Sequence, residues 1–340
     1  MTKDLNLEDI ARLSGVSRST VSRVINDQEY VSPKTREIVL EVIRKYGYQP
    51  NLAARALVSQ RSKVIGILIP HDVSDLFTDP FFPTLLEGIT LTSNQMGYGV
   101  TLWLTTAQID HPNFYASAFN NSLIDGLLIA SHTFTSNFLD WLRQFPKPIA
   151  FVGAAPASMP DVSYVDVDNA GGAIIAINHL LDQGCQRIGI IEGRSEQVAS
   201  QARTQGYIRA LEAAGIPVEE ELIAHNGNYT ESGGYHCMQT LLKHGVDGVF
   251  TASDMMALGA MRAIREAGMD VPRDIAVIGF DDIPYAALST PPLSTIRQPI
   301  SLIGAETARV LIEFLEHDEP TPSHTMLPVE LVVRESSVRI

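Results

Sequence analysis

The side chains able to do chemistry fall into two groups. Near the N-terminus, Arg18, Ser19, Ser22 and Arg23 are spaced to share the outer side of one helix, with Val21, Val24 and Ile25 turned inward. Cations and hydroxyls at the N-terminal end of such a helix can hold phosphates and reach base edges in a DNA major groove. Far along the chain, Arg203 opens a helical stretch one turn before Tyr207. A guanidinium fork there can span two hydroxyls or a carboxylate, although the commoner fate of an arginine is a surface ion pair. Asp281 follows the apolar run Ile275 to Phe280, which puts its carboxylate at the carboxyl end of a buried strand, where open α/β sheets face their ligands. Phe81, Phe82, Tyr229 and Phe280 offer flat faces to a sugar ring or serve as plain core. Asp72, Asp75 and Asp79 crowd one loop, as hydroxyl acceptors or as solvated loop acids.

Enzyme chemistry has little to start from. The sequence contains no H-E-x-x-H, G-x-S-x-G, G-x-G-x-x-G or P-loop pattern, and of the two cysteines, Cys185 and Cys237, only the second has a histidine, His236, beside it. Its nine histidines are scattered, and His132, after the apolar run Gly126 to Ser131, reads as a polar bystander. Acids are plentiful, yet nothing singles out a pair poised for proton transfer. No catalytic residue, metal ligand or cofactor is expected.

The elements that must position these groups belong to more than one domain. The chain has 340 residues, 45% hydrophobic and 19% charged, which suits a globular protein of two or three domains. Its longest apolar runs fall well short of the roughly 20 residues that span a bilayer, and Met1 to Ile10 holds no apolar signal core. With two cysteines lacking redox or metal spacing, a cytoplasmic location away from any membrane is expected. The net charge of -14 is unevenly spread. Residues 1 to 62 hold ten bases and seven acids, a net of +3, leaving 15 bases and 32 acids beyond them. A basic head on an acidic body suits a head that meets a polyanion.

Periodicity divides the head into three helices. Leu7, Ile10, Ala11 and Leu13 recur at helical spacing behind Asn6 as cap and Asp9 at the third position. Ser14 to Ser17 break the helix with Gly15 able to take positive φ, Arg18 to Asn26 form the second helix, and Lys34 to Tyr46 the third, packing Ile38, Val39, Val42 and Ile43. After Pro50, Asn51 and three alanines favour a short helix ending in Leu57. That leucine suits a minor-groove wedge or a linker side chain packed on the next domain. From Lys63 onward short apolar strands alternate with amphipathic stretches, first from Val64 to Val152, with one stretch at Ser117 to Ser122, then from Tyr164 to Phe280. Such βαβ alternation predicts two lobes, each a parallel sheet covered on both faces, with a cleft between them.

The run Leu7 to Asn26, with Val31-Ser32, Thr35-Arg36, Gly47-Tyr48, Pro50-Asn51, Ala54, Arg55 and Leu57, resembles the N-terminus of lactose/galactose repressor family regulators. The resemblance continues through Asp79-Pro80-Phe81-Phe82, Asp168-Asn169, Arg203 to Tyr207, Ser253 to Ala260, Ile278 to Asp282 and Pro292 to Gln298, covering essentially the whole chain. It implies an α/β fold: an all-α helix-turn-helix head over 1–49, a hinge helix and linker over 50–62, and over 63–340 two doubly wound lobes like those of periplasmic sugar-binding proteins. The lobes would comprise about 63–165 with 294–324, and 166–293 with 325–340.

The function implied is that of a transcriptional regulator, most simply a repressor, whose affinity for a pseudopalindromic double-stranded operator answers to a small molecule. Operator contacts would fall to Arg18, Ser19, Thr20, Ser22, Arg23 and Asn26, and to Asn51, Ala54, Arg55 and Leu57 in the hinge. Effector contacts would fall to Asp79, Phe81, Phe82, Asp168, Arg203, Tyr229, Ser253, Asp254, Phe280, Asp281 and Gln298. The family recognises sugars and purines. Gln197 and Ala199 lack the basic contact expected for a purine, which favours a carbohydrate. No leucine heptads precede Ile340, so a homodimer is expected rather than a tetramer. The competing reading is a small-molecule binding protein or enzyme with a non-regulatory N-terminal domain.

Overall fold

The computed structural model describes residues 5–25, 30–48, 61–69, 73–104, 123–130, 136–317 and 321–339. Asn26, the hinge residues Asn51, Ala54, Arg55 and Leu57, the stretch 117–122 and His132 lie outside them.

The head is built from α1 (Leu7–Ser14), α2 (Arg18–Ile25) and α3 (Pro33–Tyr46). Asn6 and Asp9 form the reciprocal box anticipated from their spacing: Asn6 Oδ1 accepts from the Glu8 and Asp9 amides, and Asp9 Oδ2 accepts from the Asn6 amide at 3.1 Å. Gly15 takes φ 69°, a conformation a side chain disfavours, and its amide closes α1 on the Ala11 carbonyl. Ser17 accepts from the Thr20 amide at the start of α2. Ile10, Ala11, Val21, Val24, Val39 and Tyr48 make the small core, with Val42 and Ile43 against its edge. Ile38, expected inside, is 40% exposed, because Val39 alone points squarely between α1 and α2.

The body contains two six-stranded sheets. The first orders β11 (His324–Leu327), β5 (Ser163–Val167), β4 (Ile149–Val152), β3 (Gly126–Ile129), β1 (Val64–Ile69) and β2 (Gly99–Leu104), all parallel. Between β1 and β2 lie α4 (Val73–Thr78) and α5 (Phe81–Gln95); α6 (Ser136–Gln144) precedes β4. The second sheet orders β12 (Glu330–Val332), β10 (Ser294–Arg297), β9 (Ala276–Asp281), β8 (Gly248–Thr251), β6 (Ile188–Ile191) and β7 (Ile223–Ala224). Only β12 runs antiparallel to its neighbour. Helices α7 (Asn169–Asp182) and α8 (Val198–Ala213) cover one face; α9 (Glu231–Leu241) and α10 (Asp254–Glu266) cover the other. A short α11 (Pro284–Leu288) follows β9, and α12 (Ile300–Glu316) packs on α5 in the first lobe.

The central strands β1, β3, β4, β6, β8 and β9 read as mostly apolar runs because both faces are buried. In β9, Val277 joins the core beneath α9 and α10, while Ala276, Ile278 and Phe280 join that beneath α7 and α8, the period-2 alternation of a strand. Each chain crossing between lobes lies a few residues later than the expected borders. All of β5 through Val167 pairs in the first sheet, β10 pairs with β9 in the second, and β11 pairs with β5 in the first. Among the described residues no helix is long and apolar enough to cross a membrane.

The capping box supplies a test of the head. Asn6→Ala leaves the first amides of α1 without their acceptor, a loss of about 1 kcal/mol. Hydrogen exchange in α1 should accelerate accordingly, while exchange in the body sheets stays unchanged.

Candidate functional site

A cavity of about 290 Å³ opens between the two lobes at the carboxyl ends of their strands. The first lobe contributes Thr78, Asp79, Phe81, Phe82, Val152, Gly153, Asp166 and Ile303. The second contributes Asn169, Gln197, Ala199, Arg203, the loop Asn228 to Ser232, Met255 and Asp281, and Gln298 sits at a crossing.

Arg203, 5% exposed, is the centre of its polar side. Its Nε donates to Asn169 Oδ1 at 2.9 Å, Nη1 donates to the Ala252 carbonyl at 2.5 Å, and the same Nη1 lies 3.9 Å from Asp281 Oδ1. The guanidinium plane rests on Phe280, 3.6 Å from the ring centroid. Asn169 Nδ2 in turn donates to Asp166 Oδ1 at 3.0 Å, so a hydrogen-bonded chain runs from the first lobe through Asn169 to Arg203.

Asp281 accepts from Gln298 Nε2 at 2.5 Å. Burial pushes its carboxyl up to about 7 against the pull of Arg203, and the negative charge of Asp79 adds to the rise. Behind it Asp254 is wholly buried, accepting from Thr295 Oγ1 at 2.5 Å and from the Ile283 amide at 2.9 Å. Burial, reinforced by Asp281, holds the Asp254 carboxyl well above the carboxylate range. Asp166 is raised by burial as well. Backbone strain gathers here too: Asn228, Tyr229, Asp281 and Asp282 have φ of 55°, 60°, 122° and 61°. Such conformations cost about 1–3 kcal/mol each and persist only where the surroundings impose them. Asp282 is held by Arg297 Nε and Arg334 Nη2, both at 2.7 Å.

The apolar side is an edge-to-face pair, Phe81 and Phe82, with centroids 5.4 Å apart at 89°. Both buried amide atoms of Gln197, which also lines the cavity, have no hydrogen-bond partner among the described residues. The Tyr229 ring crosses closely over Gly193, where any Cβ would strike it.

Two family models match the chain: "Bacterial regulatory proteins, lacI family" over residues 6–51 and "Periplasmic binding protein-like domain" over residues 177–337. Over 334 residues, 97% of each chain, the sequence is 37% identical to HTH-type transcriptional regulator CelR of Thermobifida fusca. The chain belongs to the LacI family. It is also 30% identical to catabolite control protein A of Priestia megaterium over 98% of this chain and 99% of that one. Among solved structures, the transcriptional regulator CelR–cellobiose complex superposes with a TM-score of 0.77 at 35% identity, covering 98% of this chain and 99% of that one. The lac repressor dimer bound to operator and the anti-inducer ONPF gives 0.85 at 27% identity, covering 99% and 100%. This LacI-family protein is therefore a DNA-binding transcriptional regulator with an α-helical head and two parallel-sheet lobes.

Within that frame, Asp79, Phe81, Phe82, Arg203, Tyr229, Asp281 and Gln298 line the cavity. Four other residues chosen from sequence do not. Asp168 caps α7, its Oδ1 accepting from the Gly171 amide at 2.8 Å, and Ser253 caps α10 through the Met256 amide. Asp254 faces Thr295 and Ile283 behind the cavity, and Phe280 lies beneath Arg203. Sequence reasoning passed over Asp166 and Asn169 as contacts. The signal for Asp166 was its place in β5, where Val165 and Val167 turn to the core and Asp166 turns the other way. In the head, Arg18, Ser19 and Arg23 are exposed on α2, with Thr20 and Ser22 half-buried beside them.

The raised carboxyls give stability a pH dependence of definite sign. Between about pH 4 and pH 7 the folded body retains protons on Asp281 and Asp254 that the unfolded chain releases. The Asp281 contribution is complete below the ordinary carboxylate range and disappears as pH rises through about 7, and that of Asp254 has the same sign. The unfolding midpoint of the ligand-free body should fall between about pH 5.5 and pH 8, and Asp281→Asn should flatten that slope in calorimetric scans.

Proposed function

We propose that this LacI-family regulator senses a carbohydrate in the cavity between its lobes and, as a homodimer, couples occupancy to its affinity for a pseudopalindromic operator. The observation that carries the reading is the unpaired buried amide of Gln197 in the same cavity as the Arg203–Asp281 pair and the Phe81–Phe82 rings. Leaving a buried polar atom unpaired costs about 1–3 kcal/mol, which the hydroxyls of a sugar recover. The mixed lining matches the chemistry of a pyranose: Asp281 and Asp166 accept from hydroxyls, Arg203 and Gln197 donate to them, and the rings of Phe81 and Phe82 take its C–H face. The CelR complex holds cellobiose, a relative's ligand that fits this lining. The site is one of binding, with no catalytic step assigned to it.

On the DNA side, Arg18, Ser19 and Arg23, flanked by Thr20 and Ser22, are the groups proposed to meet the major groove, and the lac repressor dimer bound to operator supports a two-headed arrangement. Asn26, Asn51, Ala54, Arg55 and Leu57 complete the proposed contact set. Asp79, Phe81, Phe82, Arg203, Tyr229, Asp281 and Gln298 are the proposed effector contacts, joined by Asp166, Asn169 and Gln197. Closing one lobe on the other about three short crossings would change the separation of the two heads in a dimer, a coupling of about 1–3 kcal/mol.

Calorimetric titration of the full chain with cellobiose, glucose and ribose, with adenosine as control, tests the sensor. Gln197→Ala should weaken sugar binding about tenfold, and Arg203→Ala about tenfold to a hundredfold; unchanged affinity in both would remove the site. For the head, Arg23→Ala should cost about 1–3 kcal/mol of specific operator affinity in gel-shift titrations, and undiminished binding would refute the assigned face.

A further inference from the structure

We infer that the cavity selects an uncharged polyhydroxyl effector and turns away its phosphorylated or carboxylated counterparts. The inference rests on the cavity being the effector site and adds the charge class of what enters it. Among the described residues, five ionisable side chains line it: Asp79, Asp166, Glu231 and Asp281 against Arg203. Arg194 acts on Tyr229 from nearby, and Arg262 Nη1 pairs with Glu231 at 3.4 Å, neither arginine lining the cavity. The Arg203 guanidinium is largely committed. Nε serves Asn169, Nη1 serves Ala252 and Asp281, and the face rests on Phe280, so the two-nitrogen fork that grips a phosphate or carboxylate is not on offer.

The other seat for an anion is a helix N-terminus, whose free amides and dipole attract negative charge. At four helices around this cavity a side chain of the protein already takes one of those amides. The Asp79 carboxylate accepts from the Phe81 amide ahead of α5, and Asp168 accepts from Gly171 in α7. Thr230 accepts from Gly233 in α9, and Ser253 from Met256 in α10. Two helices, α8 at Gln197 and α12 behind Pro299, begin without a side-chain cap, and one helix end carries about half a unit charge. Hydroxyls suit the same lining. Each can donate to a carboxyl and accept from Gln197, whose amide is fully buried with neither atom satisfied.

The test is a set of matched pairs titrated into the full chain: cellobiose with cellobionic acid, glucose with glucose 6-phosphate, ribose with ribose 5-phosphate, and adenosine with adenosine monophosphate. In every pair that binds, the uncharged member should bind about tenfold or more tightly than the anion. Asp166→Asn, which keeps the oxygen that Asn169 donates to, should narrow that ratio; Glu231→Gln at a half-exposed position serves the same purpose should Asp166→Asn fail to fold. An anion that binds as tightly as its uncharged partner, or a ratio untouched by the folded variant, overturns the inference. Binding by adenosine and by no sugar would keep the charge rule and discard the carbohydrate reading. Silence from every pair would discard both.

Discussion

Arg203 is a full charge withdrawn from water, and the surrounding second lobe is arranged to hold it. Burial of an isolated guanidinium costs several kcal/mol even after relaxation, so it persists only where geometry and hydrogen bonds offset the loss. Asn169 from α7, the carbonyl after β8 and the Phe280 ring of β9 each take one part of it. Those elements must therefore end together at one edge of the sheet, which is what a parallel sheet with its crossover helices provides. Asp281, one residue beyond Phe280, comes to that edge with a positive φ that an ordinary strand end does not have.

Arg203 cannot neutralise the acids around it. Asp281 and Asp254 share a buried region with a guanidinium at 3.9 Å from one of them, and the surplus appears as carboxyls raised above the ordinary carboxylate range. Strained backbone at Tyr229 and Asp281 and the unpaired amide of Gln197 belong to the same pattern. A fold optimised for stability alone would have removed these features. Their concentration at one cavity is the signature of a site whose polar groups are completed by a ligand.

The head follows a different economy. Its core is a handful of side chains around Ile10, Val21, Val24 and Val39, and its helices are short, so end effects weigh heavily: a reciprocal cap at Asn6, a left-handed glycine at Gly15, Ser32 capping α3 ahead of Pro33. Its charge balance is opposite in sign to the body's. Net positive charge on the small module and net negative charge on the rest of the chain keep attraction for a polyanion local to that module.

Much of this was legible in the residues. The alternation of apolar runs with amphipathic stretches specified two parallel sheets, because strands buried on both faces must be continuously apolar. The caps and turns of the head followed from local hydrogen bonding within four residues. Asp281 could be named because a strand end is a local fact, whereas Arg203, expected to open its helix, lies more than a turn inside α8, which begins at Val198. What tertiary structure decided is everything carried by distant pairs: Arg203 meets Asn169 across 34 residues, and Asp254 meets Thr295 across 41. Spacing cannot tell that Asp168 would cap a helix while Asp166 turned to the cavity, or that Asp254 would lie behind the site and Gln197 within it unpaired. The crossings between lobes shifted for the same reason: β10 and β11 join whichever sheet offers a free edge, and that choice belongs to the assembled fold rather than to the strand's own residues.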